Sequence, residues 1–305
     1  MQTEIHQSPT GSKINLHSFL PLGEARAVVH ITHGMAEHSK RYSRFALELT
    51  AAGFAVFAHD MRGHGRTIAD DASQGVFAKS DGLIKVLEDQ NEIVNLIKKR
   101  LPNKPVICFG HSLGSIINLN FALTYPNQVN ALACWNSGIE TGLLPKASRI
   151  ILAIEGFFRN QNLPSLIAWK LSFEAWNSKF KPNRTKFDWL SRDENEVNLY
   201  VGDPHCGFEV SISMWRDVLD GVFYAGNKIN IQKLPKELPV HIVGGAEDPC
   251  TQNGSDMKKL AIKLQNSGLS DVTCTILEGT RHESLNEINR DQTTKQFIKW
   301  LEERF

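Results

Sequence analysis

The chain has 305 residues, 41% of them hydrophobic and 22% charged, enough to bury a large core in one elaborated domain or a domain with an insertion. Its 34 basic and 33 acidic residues give a formal charge of +1 with no long run of either sign, which speaks against nucleic acid or a strongly anionic surface as main partner. Cysteines at 108, 134, 206, 250 and 274, odd in number and without C-x-x-C or zinc spacing, read as free thiols of a reducing compartment. In chain order, residues 4–7 and 13–19 flank Pro9-Thr10-Gly11-Ser12 as a hairpin. Residues 1–7 carry neither a basic start nor an apolar core, and no run reaches ~18 apolar residues, so a cytoplasmic protein is expected.

Strand and helix patterns then alternate. Strands are expected at 27–32, 54–59, 106–109 and 131–135, with helices near 42–52, 83–100 and 115–125 between them. Such alternation predicts βαβ units and a mostly parallel sheet flanked by helices on both faces. The rhythm breaks between about Ser137 and Leu234, where apolar stretches at 150–158 and 166–176 have helical spacing and four of the six tryptophans fall (169, 176, 189, 215). It resumes with strands at 238–243 and 271–277. The expected organisation is therefore a core of residues 1–136 and 235–305 with a helical lid, 137–234, inserted into it.

The densest chemical signal is Gly110-His111-Ser112-Leu113-Gly114, lying between an expected strand and an expected helix. A serine on so sharp a turn presents its hydroxyl above the sheet, and glycines two residues to either side are wanted because the turn leaves no room for Cβ atoms. Ser112 is the candidate nucleophile. Its base and orienting acid should follow later in the chain. The loop Gly244-Gly245-Ala246-Glu247-Asp248-Pro249 offers Asp248, favoured over its neighbour Glu247 because Pro249 fixes the turn just past it. The loop Glu278-Gly279-Thr280-Arg281-His282-Glu283 offers His282, the one histidine of eleven beyond the last expected strand. Glu247 and Glu283 read as solvated loop carboxylates. Negative charge on an attacked carbonyl oxygen needs preset donors, and the backbone amides of Leu113 and of Met35, in the loop after the strand at 27–32, are the candidates.

These segments resemble a known family. His33-Gly34-Met35-Ala36-Glu37-His38-Ser39-Lys40-Arg41-Tyr42 is similar to the H-G-x-x-E-H-S-x-R-Y segment of the monoacylglycerol lipase and lysophospholipase group of α/β-hydrolases, also called serine aminopeptidase-like. Asp60-Met61-Arg62-Gly63-His64-Gly65-Arg66-Thr67 resembles its D-x-R-G-H-G-R-S loop. The likeness continues through the Ser112 turn, Ser191-Arg192-Asp193, the segment 203–208, the Asp248 loop and the segment 281–287. It implies an α/β-hydrolase fold, Ser112, Asp248 and His282 as triad, the Met35 and Leu113 amides as oxyanion donors, and hydrolysis of a lipid carboxylic ester without cofactor or metal. Leu113 stands where many members have Met, and Thr67 where they have Ser; neither touches the mechanism.

The same parts could serve a non-lipid esterase, a thioesterase or a peptidase, and a non-catalytic ligand-binding homologue is the reading of a different class. The inner face of the insertion is expected to line an acyl-chain pocket and its apolar edge to touch membranes transiently. Asp60 and Arg62 are read as braces of their loop, Cys250 as a small apolar loop residue, and Lys40, Arg41 and Arg44 as a solvated helix start.

Overall fold

The computed structural model describes all 305 residues. Eight strands make one sheet in the order β1-β2-β4-β3-β5-β6-β7-β8. β1 (Gln2–Gln7) and β2 (Lys13–Phe19) form the expected hairpin, Gln2 opposite Ser18 and Gln7 opposite Lys13. β2 lies antiparallel to β4 (Ala55–His59). All remaining pairs, among β3 (Val28–Thr32), β4, β5 (Val106–His111), β6 (Ala131–Trp135), β7 (Val240–Gly245) and β8 (Val272–Leu277), are parallel.

The helices are α1 (Ser43–Ala51), α2 (Gly82–Arg100), α3 (Leu113–Thr124), α4 (Leu143–Phe158), α5 (Leu166–Trp169), α6 (Ala175–Asn177), α7 (Glu194–Gly202), α8 (Ile212–Gly226), α9 (Lys228–Ile231), α10 (Ser255–Asn266) and α11 (Arg290–Glu302). None is long and apolar enough to cross a membrane.

Every residue of β3 to β7 is buried, because helices cover both faces and neither side of a strand meets water. Alternate side chains therefore enter different cores. Val106 and Cys108 join one with α2, α3, α8 and α10, whereas Ile107 and Phe109 join another with α1 and α11. This double burial makes the strands read as unbroken apolar runs in the sequence.

The connection from β6 to β7 holds α4 to α9 and no strand. Its own apolar cluster consists of Trp169, Phe173, Phe187, Trp189, Leu190, Val197 and Tyr200. Two boundaries differ from expectation. α4 starts at Leu143, seven residues before the expected apolar stretch, and the stretch at 166–176 is α5 and α6 joined by a π turn over Lys170–Glu174. A single wide turn shifts the helical register without changing the apolar spacing enough to be read.

Candidate active site

The turn after β5 is sterically determined. Ser112 has φ 53° and ψ −118°, a strained conformation for a residue with a side chain. A Cβ at Gly110 would lie 2.4 Å from the carbonyl carbon of Gly114, and one at Gly114 would lie 2.0 Å from the carbonyl oxygen of Thr32. Only glycine fits at either place. The turn is pinned by the Ser112 amide donating to the Trp135 carbonyl (2.8 Å) and the Ser115 hydroxyl donating to the Gly110 carbonyl (2.7 Å). Leu113 opens α3, so its amide has no intrahelical acceptor and lies at the positive helix end.

The loops after β7 and β8 bring Asp248 and His282 together. His282 Nδ1 is 3.0 Å from both Asp248 carboxylate oxygens, and both residues are buried. Asp248 also accepts from the Cys250 amide (2.9 Å), the Thr251 hydroxyl (3.0 Å) and Asn136 Nδ2 (3.3 Å). Burial opposes its ionisation, but the His282 charge and these donors outweigh it and hold the carboxyl below its usual range. Glu247 is exposed and takes no part. With Nδ1 engaged, Nε2 is the ring nitrogen left for another partner. Ser112 and His282 line the same cavity, although no direct hydrogen bond joins them in this structure.

The loop after β3 lies against the elbow, since a Cβ at Gly34 would be 3.4 Å from that of Ser112. The Gly34 amide donates to Glu37 Oε1 (2.5 Å), while the Met35 amide makes no backbone hydrogen bond, and Met35 and Leu113 both line the cavity. The Ala36 carbonyl accepts from the Gly207 amide (2.9 Å) and the Tyr200 hydroxyl (2.8 Å), fastening this loop to the β6–β7 connection.

Two expectations are corrected here. Arg41 is no solvated helix start: its guanidinium donates to Glu37 (2.6 Å) and with both nitrogens to Glu283 (2.6 and 2.7 Å), over the Tyr200 ring. Glu283, expected in solvent, is 5% exposed. Burial resists charge on both acids, yet Arg41 prevails, lowering Glu283 and bringing Glu37 down to about 2. One cation thus ties the segment carrying Met35 to the one carrying His282. Local sequence carries no signal for a pair 242 residues apart. Asp60 and Arg62 do brace: Asp60 accepts from the Ser39 and Arg66 amides (2.9 Å each) and Arg62 Nε donates to Asp89 (2.8 Å).

The cavity measures about 600 Å³. Gly34, Glu37, His111, Ser112, His282 and Glu283 are its polar lining, and α4, the π turn over Lys170–Glu174, α6 and α8 supply apolar walls including Leu152, Leu171, Phe173, Trp176 and Val222. Burial pushes His111 down to about 4, so it faces the cavity uncharged at neutral pH. Folding also assembles two triplets of metal-ligand side chains that spacing did not reveal, Asp248-Cys250-His282 and His38-Asp203-Cys206. In both, the imidazole is hydrogen-bonded to the aspartate and burial pushes the thiol up, which disfavours the thiolate that a metal would need.

With this geometry in view, the profile of the serine aminopeptidase S33 hydrolase family matches residues 23–289. A monoacylglycerol lipase of Mycolicibacterium smegmatis is 34% identical over 293 residues, 95% of this chain and 93% of that protein. The monoglyceride lipase of Rattus norvegicus is 26% identical, covering 86% of this chain and 77% of its own length. A thermostable carboxyl esterase from Bacillus coagulans superposes with TM-score 0.88 at 24% identity, over 99% of this chain and 97% of its own, a likeness of fold. A profile that spans the strands, the elbow and the Asp248 and His282 loops alike places the chain in the serine aminopeptidase S33 family of α/β-hydrolases, to which it belongs.

Proposed function

We propose that the protein is a serine hydrolase that cleaves the carboxylic ester of a single-chain lipid, a monoacylglycerol or lysophospholipid, through an acyl-enzyme. The observation that carries this reading is the strained Ser112 in the polar lining of an apolar cavity that also holds the Asp248-bonded His282. Membership of a serine hydrolase family and the monoacylglycerol lipase relatives support it.

Ser112 Oγ attacks the ester carbonyl while His282 Nε2 takes its proton, and Asp248 holds the Nδ1–H tautomer and steadies the imidazolium. The Met35 and Leu113 amides receive the developing oxyanion. The imidazolium then protonates the departing alcohol oxygen; His282 next draws a proton from water, whose attack on the acyl-enzyme frees the fatty acid as the imidazolium returns that proton to Ser112 Oγ. No step calls for a cofactor.

We assign residues 137–234 as a lid whose inner face holds the acyl chain, each buried methylene contributing ~0.8 kcal/mol. A cavity of about 600 Å³ falls within the ~300–1,000 Å³ range of small-molecule sites. Ile150, Ile154, Phe157 and Phe158 recur at helical spacing on the outer side of α4, all exposed, and we assign this stripe to transient contact with a lipid surface.

A panel of glycerol monoesters and p-nitrophenyl esters graded from acetyl to palmitoyl tests the substrate class. kcat/KM should rise with acyl length to a long-chain optimum; a preference for acetyl over decanoyl esters would refute the lipid pocket.

A further inference from the structure

We propose that Trp189, in the β6–β7 connection, is a positioning residue for His282, holding the imidazole plane and stabilising it once it carries the Ser112 proton. This rests on the reading of His282 as base. Asp248 fixes the ring at its Nδ1 edge alone. A ring gripped at one edge can still tilt, and the Trp189 indole packs against its face, with centroids 4.7 Å apart and planes 37° from parallel. The His111 ring also lies against the His282 imidazole, with centroids 4.9 Å apart, and burial keeps the His111 ring uncharged.

The placement is built in. Trp189 is 2% exposed, its amide donates to Asn177 Oδ1 (3.1 Å), and its ring packs on Trp176 (4.8 Å) and Phe173 (5.3 Å). The backbone then pairs the two segments: the Leu190 carbonyl accepts from the Glu283 amide (2.7 Å), and the Arg281 guanidinium donates to the Asp188 (2.6 Å) and Ser191 (3.1 Å) carbonyls. The chain is thus fastened on both sides of Trp189 to both neighbours of His282.

The ionisable groups around His282 are Asp248, the neutral Cys250 thiol, His111 and Glu283, with Glu37 and Arg41 behind them. The carboxylates act through the ring edge or at a distance, whereas the indole offers an electron-rich face to a cation that forms transiently, away from water. Such a contact corresponds to roughly 2- to 30-fold in rate. The connection that walls the acyl cavity, through Phe173 and Trp176, is thereby also part of the machinery that moves the proton.

The test is turnover of p-nitrophenyl acetate, whose two-carbon acyl group keeps contact with the apolar walls to a minimum, by wild type, Trp189→Phe, Trp189→Leu and enzyme with mono-, di- and trifluorotryptophan at 189. Fluorination keeps the indole shape while withdrawing its π electron density. kcat should fall stepwise along the fluorinated series, by about tenfold in Trp189→Leu and by much less in Trp189→Phe, with KM within about twofold throughout. Wild-type kcat across the fluorinated series would overturn the inference, even where Trp189→Leu fails to fold. Should wild type not react through Ser112 at all, it is the reading of the triad that fails.

Discussion

Arg41 is held between two carboxylates that have almost no other access to solvent, the side chains of Glu37 and Glu283 being 3% and 6% exposed. Removing the cation would strand two buried charges, a change that costs roughly 3–5 kcal/mol where single buried ion pairs are broken. Arg41→Ala should lose stability on that scale in guanidinium unfolding. It should also lose kcat, since Glu37 orders the amide before Met35 and Glu283 follows His282. Arg41→Lys should recover only part of either, because an ammonium cannot reproduce the two-nitrogen contact with Glu283. Wild-type stability in Arg41→Ala would show the cluster to be dispensable. At this scale the sequence was uneven. The sharp turn at Ser112 was legible because its glycines are local and sterically forced, and the loops of Asp248 and His282 because each follows an expected strand. Arg41 and Glu283 were misread as solvated, since a charged residue looks the same in sequence whether its partner is water or a carboxylate from across the fold.

All eight strands and the helices α1, α2 and α3 were legible to within a few residues, whereas α8, α10 and α11 were not assigned from sequence. α4 was harder because it is apolar on two sides: Ile151 and Leu152 turn to the cavity, while Ile150, Ile154, Phe157 and Phe158 turn to solvent. Hydrophobicity alone cannot say which stripe faces the core. The outer stripe is also the element-scale prediction. Phe157→Ser/Phe158→Ser should weaken sedimentation with phosphatidylcholine vesicles severalfold while leaving p-nitrophenyl butyrate turnover near wild type, because neither side chain lines the cavity. Equal sedimentation of wild type and variant, or none by wild type at low salt, would remove the lid-contact assignment.

For the whole molecule, the notable cost lies in its buried imidazoles. Burial pushes His30, His64 and His241 down to about 3 and His111 to about 4, and lowers His33 and His59 as well. These groups stay neutral in the fold but take up protons in the unfolded chain near pH 6.5, so the unfolded state gains as pH falls below that value. Each can contribute up to ~1.4 kcal/mol per pH unit until its folded value is reached. Glu37 and Asp60, both brought down to about 2 despite burial, act in the same direction lower still, their contribution being lost as pH falls from the ordinary carboxylate range towards 2. Guanidinium midpoints should therefore drop steadily from pH 7 to pH 5. A flat profile would contradict the neutral, buried state of these histidines.

The fold and its ligand edge followed from alternation of elements, since loops beyond the C-terminal ends of β3, β5, β7 and β8 meet at one place in a parallel sheet. The cavity shape did not, because it depends on how the β6–β7 helices lean on that edge, which no local pattern encodes.

The most direct measurement is covalent labelling by a fluorophosphonate probe, followed by peptide mapping, in wild type and Ser112→Ala. The account predicts rapid labelling of wild type at Ser112 and none of the variant, with Asp248→Asn slowing the reaction by roughly 10⁴-fold through loss of the correct imidazole tautomer. A folded wild type that resists the probe, or a Ser112→Ala protein labelled as fast as its parent, would contradict it.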